Sequence, residues 1–177
     1  CEEYTAERGM KTAIARFHNV YGPFGTWDGG REKAPAALSR KVIEAQDSGK
    51  HEITIWGDGG QTRSFMYIDD CVTGIDMIMH CADLVATAIN LGSSELISRN
   101  ELVSHVGKGA GIEMERHYDL DAPQGVAGRN SDNTFIQQTL GWEPSTPFDV
   151  GIAKTYAWIQ GQYNDRKAGK ATPAGDY

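Results

Sequence analysis

Residues 16–37 read Arg16-Phe17-His18-Asn19-Val20-Tyr21-Gly22-Pro23-Phe24-Gly25-Thr26-Trp27-Asp28-Gly29-Gly30-Arg31-Glu32-Lys33-Ala34-Pro35-Ala36-Ala37. Thr12 to Val20 is rich in apolar and β-branched residues and predicts a strand. It delivers His18 and Asn19 to its carboxyl end, where Tyr21-Gly22-Pro23 turns the chain. The glycine-rich stretch 22–34 has no periodicity and predicts a loop. Pro35 then opens a helix to about Asp47, with Leu38, Val42 and Ile43 on one face and Gly49 as its stop. Ligands of α/β sheets sit outside the carboxyl ends of strands. A helix start adds free N–H groups that favour phosphate. This segment is therefore a candidate anion site carrying Asn19, Arg31, Glu32 and Lys33, and on spacing alone a solvated surface loop explains it equally well.

Working outward, strands and helices alternate, which makes the class α/β. A helix end at 2–8 stops at Gly9. Strands are expected at Glu52–Trp56, Phe65–Ile68, Thr87–Leu91 and Glu113–Tyr118. Asp69 is a candidate cap for a helix from Asp70 to about Cys81. Ser98 and Glu101 have the spacing of a capping box for a helix to about Lys108. A short helix ends at Leu140-Gly141. Thr146-Pro147-Phe148-Asp149 starts a last helix with the apolar stripe Phe148, Ile152, Tyr156, Ile159 and Tyr163. Trp142 and Trp158 read as core, and Gly57 to Gly60 as a hairpin turn. Residues 1–167 form the expected folded unit, and 168–177 a small, polar, disordered tail.

The 177 residues carry a net charge of −7, which argues against a nucleic-acid partner. The chain is balanced in charge up to Arg63 and acidic beyond, so an anionic ligand is tolerated best in the first third. No apolar run is long enough to span a membrane. Three cysteines, Cys1, Cys71 and Cys81, lack metal spacing and fit free thiols of a reducing cytoplasm. His51, His80, His105 and His117 show no ligand spacing, so no metal is expected. The chain has no strand–GxxGxxG–helix fingerprint for a dinucleotide. Tyr163 and Lys167 match Tyr-x-x-x-Lys formally, but Tyr163 belongs to the apolar stripe and the pairing reads as chance.

The Asn-x-Tyr-Gly-Pro strand end resembles the extended short-chain dehydrogenase/reductase family. The longer string through Gly29-Gly30-Arg31-Glu32-Lys33-Ala34-Pro35 is similar to one subgroup, the GDP-mannose 3,5-epimerases. The likeness continues through Trp56-Gly57-Asp58-Gly59, Gln61-Thr62-Arg63-Ser64-Phe65, Asn90-Leu91-Gly92-Ser93, Gly128-Arg129-Asn130-Ser131-Asp132-Asn133 and Leu140-Gly141-Trp142-Glu143-Pro144. Asp28 departs from it, since the subgroup usually has a basic residue there. The resemblance implies the C-terminal, substrate-binding portion of such an enzyme, lacking the N-terminal dinucleotide-binding half.

It further implies a reaction in which NAD takes hydride from carbon 4 of the hexose, an acid–base pair epimerises carbons 3 and 5, and hydride returns. Lys33 is implied as the acid. Asn19, Glu32, Ala34, Lys41, Gln61, Thr62, Arg63 and Arg129 are implied as substrate contacts, with the two arginines on the diphosphate. The base and the NAD-binding residues are expected outside this chain. The implied partners are a nucleotide-sugar, GDP-mannose, and a second copy in a homodimer. The alternatives are another NAD-dependent sugar-nucleotide epimerase or dehydratase, and a stand-alone non-catalytic sugar-nucleotide binding module.

Overall fold

The computed structural model describes residues 1–123 and 125–170. Most of the expected tail lies outside the described residues.

Helix α1 (Glu2–Arg8) ends at Gly9, whose φ of 64° closes it in the left-handed conformation. The expected strand 12–20 is two strands, β1 (Ile14–Phe17) and β2 (Asn19–Tyr21). They part at His18 because they have different neighbours. β1 pairs in parallel with β6 (Ala88–Leu91), and β2 pairs in parallel with β5 (Phe65–Tyr67). The His18 N–H still donates to the Leu91 carbonyl at 3.0 Å, so the polypeptide runs on while its partner changes. Helix α2 (Ala34–Ser48) starts where Pro35 allows and stops at Gly49.

Strand β3 (Glu52–Trp56) does not turn back in a hairpin at Gly57–Gly60. It pairs in parallel with β8 (Glu115–Asp119). The chain beyond the turn forms β4 (Thr62–Arg63), flanked by β7 (Ile97–Ser98) and β9 (Gly128–Arg129). Two-residue strands leave no sequence pattern, and this small sheet was not foreseen.

Helix α3 (Ile68–His80) begins two residues before the expected start. Asp69 lies inside its first turn and makes no cap. The Asp70 carboxylate accepts the N–H groups of Ser145 and Thr146 instead, at 3.1 and 2.8 Å. Helix α4 (Arg99–Ala110) has the expected box: Ser98 Oγ accepts from Glu101 N–H, and Glu101 accepts from Ser98 N–H. Helices α5 (Thr134–Leu140) and α6 (Phe148–Lys167) complete the chain.

Two apolar clusters hold these elements. One joins α2, α4 and α6 to β3 and β5, with Trp27, Val42, Val103, Phe148 and Ile159 among its buried members. The other lies around β6, α3 and α5, with Ile78, Leu84, Leu91 and Ile136. The last-helix stripe is buried as expected from Phe148 to Ile159, and Tyr163 is partly buried against it. Trp142 and Trp158 are partly buried, each at the edge of a cluster.

Candidate substrate site

The ends of β2 and β4, the start of α2 and the start of α4 meet around a cavity of about 190 Å³. Asn19, Lys33, Ala34, Gln61 and Arg63 line it, over an apolar floor that includes Phe65. Five of the nine residues singled out in the sequence therefore share one concavity, although they come from three separate segments. Each is held there for a local reason. Asn19 stands first in β2, and its amide Nδ2 donates to the Ser64 carbonyl at 3.1 Å, which ties it to the partner chain segment. Gln61 is buried. Arg63 is half-buried and its Nη1 donates to the Thr62 carbonyl at 2.7 Å. That bond fixes the guanidinium on the central strand of the small sheet and, among the described residues, leaves its other donors without a partner.

Helix α2 opens at the same place. Lys33 is its N-cap residue and makes no side-chain cap, so first-turn N–H groups remain to be satisfied. Lys33 is exposed at the mouth. The start of α4 is different. Its capping box and the bonds from Arg99 N–H to Gln61 and from Asn100 N–H to Gly59 consume the donors of its first turn. Of the two helix starts, only that of α2 can receive an anion.

Four expected contacts do not line the cavity. Arg129 is exposed in β9, in register with Arg63 across the parallel pair. In-register residues share a face of a sheet, so Arg129 flanks Arg63 at the rim. It is also close enough to His18 to act on it: burial first, and then the Arg129 charge, lower the pKa of the His18 imidazole. Thr62 alternates to the opposite face of β4, against Gly128. Glu32 is turned to Arg40, which it accepts at 3.1 Å. Burial works to raise its pKa, but backbone N–H groups and Arg40 outweigh that and hold the carboxyl below the usual range. Lys41 is exposed on α2, about two turns beyond Ala34 on the same side.

Sequence reading missed Ile97, Ser98, Arg99 and Leu102, which also line the cavity. Their only local signal was the capping box, and it spoke of a helix start and not of a site.

A family model, the NAD dependent epimerase/dehydratase family, matches residues 1–92, just over half of the chain. The chain belongs to this family. Among curated proteins, GDP-mannose 3,5-epimerase 1 of Oryza sativa subsp. japonica is 44% identical over 167 residues, 94% of this chain and 42% of the relative. GDP-mannose 3,5-epimerase of Arabidopsis thaliana is 44% identical over 168 residues, 95% of this chain and 43% of the relative. The chain thus spans less than half the length of the curated relatives it matches. Among solved structures, UDP-glucose 4-epimerase of Thermotoga maritima, with UDP-glucose, superposes with a TM-score of 0.80 at 25% identity. That match covers 92% of this chain and 50% of the other.

The family is NAD-dependent, and two of the chain's glycine turns are closed to a dinucleotide. A side chain at Gly22 would strike Ile68 at 2.4 Å, and one at Gly59 would strike the Asn100 amide at 2.5 Å. Both glycines are spent on close internal contacts, not on a backbone cradle open to a pyrophosphate. The Tyr163–Lys167 pair is also committed, both side chains bonding to Asp47. For metals, the parallel register of β3 and β8 brings Glu52, Glu115 and His117 together, with ligand atoms within 4.8 Å. All three are exposed, and His117 lies 3.9 Å from each carboxylate. Linear spacing could not have shown this group. Among the described residues, no helix is long and apolar enough to cross a membrane.

Proposed function

We propose that this chain is the substrate-binding and proton-donating portion of a nucleotide-sugar epimerase acting on GDP-mannose at carbons 3 and 5. The observation that carries the reading is the gathering of Asn19, Lys33, Ala34, Gln61 and Arg63 around one cavity, with Arg129 in register beside Arg63. The 44% identity to GDP-mannose 3,5-epimerases over nearly all of the chain favours that subgroup.

The chemistry follows from the donors. Arg63 offers a planar fork to one phosphate, and Arg129 offers a second cation at the rim. The uncapped start of α2 adds backbone N–H groups and a favourable dipole for the same diphosphate. Asn19 and Gln61 orient the sugar through neutral hydrogen bonds. Lys33, at the mouth, is the proton donor to a hexose carbon next to the carbonyl. Hydride transfer is assigned to no residue of this chain, in which the space beside Gly22 and Gly59 is filled by Ile68 and Asn100. We also propose that the chain associates with a second copy through its bare β1 edge.

Titration calorimetry of the chain with GDP-mannose tests the site. The expected Kd is on the order of 10–100 μM, about −6 kcal/mol. Arg63→Ala should weaken it at least about tenfold, the loss of charge-assisted hydrogen bonds. NAD should not bind more tightly than about 100 μM. Absence of GDP-mannose binding, or an Arg63→Ala variant that binds as well as the parent, sinks the assignment.

A further inference from the structure

The glycine-rich loop that ends at Lys33 is braced by charges from two helices. Asp28 Oδ2 accepts from Arg166 Nη1 at 2.6 Å, at the far end of α6. Its Oδ1 accepts the Gly29 N–H at 2.8 Å and lies 3.5 Å from Arg40 Nε on α2. The same Arg40 donates to Glu32 at 3.1 Å and to Glu44 at 2.9 Å. One guanidinium therefore grips both ends of the segment 28–32, immediately before Lys33. The Arg166 guanidinium also lies over the Trp27 ring, 4.1 Å from its centroid. Trp27 is only 1% exposed and belongs to the large apolar cluster. The loop is thus anchored by a buried ring, and its direction beyond that ring is set by ion pairs. The hydrogen bond from Arg166 is the first cause that holds the Asp28 carboxyl below the usual carboxylate range, with burial opposing it.

We infer that Asp28 is a positioning residue: by holding Arg166 and Arg40 it fixes the loop and sets Lys33 at the mouth of the Arg63 cavity. The inference rests on the proposed site for what Lys33 meets, but the brace itself stands on geometry. A basic residue at this position would face two guanidinium groups and could make neither pair. Asp28 therefore acts through Lys33 and not on the substrate.

Hydrogen exchange of the amides of residues 25–33 in the full chain is the direct test. Asp28→Asn and Arg166→Gln should each speed that exchange about threefold, the scale of a partly exposed ion pair. The double variant should show less than the product of the two single effects, since both remove the Asp28–Arg166 pair, and Asp28→Glu, measured as a single variant, should keep most of the protection. Exchange in β3 and α4 should not change. Affinity for GDP-mannose should fall by a similar factor in Asp28→Asn and return in Asp28→Glu. Loop exchange that is unchanged, or that rises equally throughout the molecule, overturns the inference. Should the parent chain fail to bind GDP-mannose, the proposed substrate site fails, while the loop exchange still decides the brace.

Discussion

The cluster shared by α2, α4 and α6 and the layer built on β1 and β6 differ in how fully their outer sides are covered. In the first, Trp27, Val42, Phe148 and Ile159 are at most 1% exposed, and the three helices pack on one another. In the second, Leu84, Ile89 and Leu91 are equally buried, but the outer side of the layer is bare. Among the described residues β1 pairs only with β6. Between β1 and the end of α3 a mostly apolar cavity of about 500 Å³ is lined by Ala13, Ala15, Phe17, Ile75 and Met79, with Lys11, Thr12 and His80 also on its wall. Phe17 is 50% and Met79 73% exposed. The cavity lined by Asn19 and Arg63 lies against the closed cluster, sharing Phe65, Ile97 and Leu102 with it. The open face is apolar surface with unpaired backbone groups, the combination that favours association.

The largest expected effect is on the closed side. Trp27→Ala removes a fully buried ring and should cost about 3–5 kcal/mol in urea denaturation. Met79→Ala, mostly exposed, should change stability by less than about 0.5 kcal/mol. Equal costs for the two would abolish the contrast.

A second measurement concerns the open side alone. The chain should be dimeric or larger by light scattering, and the pair Phe17→Ser and Met79→Ser should shift it toward monomer while leaving its fold unchanged by circular dichroism. A parent chain that is already monomeric would show that the bare edge does not drive association under those conditions.

The smallest effect falls at the seam. His18 sits where β1 hands over to β2, and burial and then Arg129 lower its pKa. The unfolded chain therefore binds this proton more readily. The stabilisation from a neutral His18 is complete above about pH 6.5 and is lost as pH falls below that value. His18→Gln should flatten the decline of stability between pH 6.5 and 5. An unchanged slope would mean that Arg129 and the seam do not act on this ring.

Much of the architecture was legible because helix ends are local chemistry. Gly9, Gly49 and Gly141 end helices where expected, and Ser98 with Glu101 begins one. The misreadings share a cause. Asp69 has the residue type of a cap, but the chain enters α3 earlier and Asp70 serves a distant loop instead. Gly57–Gly60 has the composition of a hairpin turn, but β3 finds its partner in β8. For the site, Asn19, Lys33, Ala34, Gln61 and Arg63 are marked only by the resemblance of their segments to a family string, and no local pattern shows that they meet. Thr62, next to Arg63 in that string, faces the other side of the strand.

By itself the sequence determined the alternation of strands and helices, the positions of most helix ends, the family string and the want of a dinucleotide fingerprint. Each of these depends on neighbours within a few residues, where φ preferences, capping and side-chain period act. Only the tertiary structure decided that the strand after Thr12 divides at His18, that Arg63 and Arg129 stand in register, and that Asp28 meets Arg166 across 138 positions. Those contacts follow from which surfaces pack together, and packing joins residues whose separation along the chain carries no trace of their meeting.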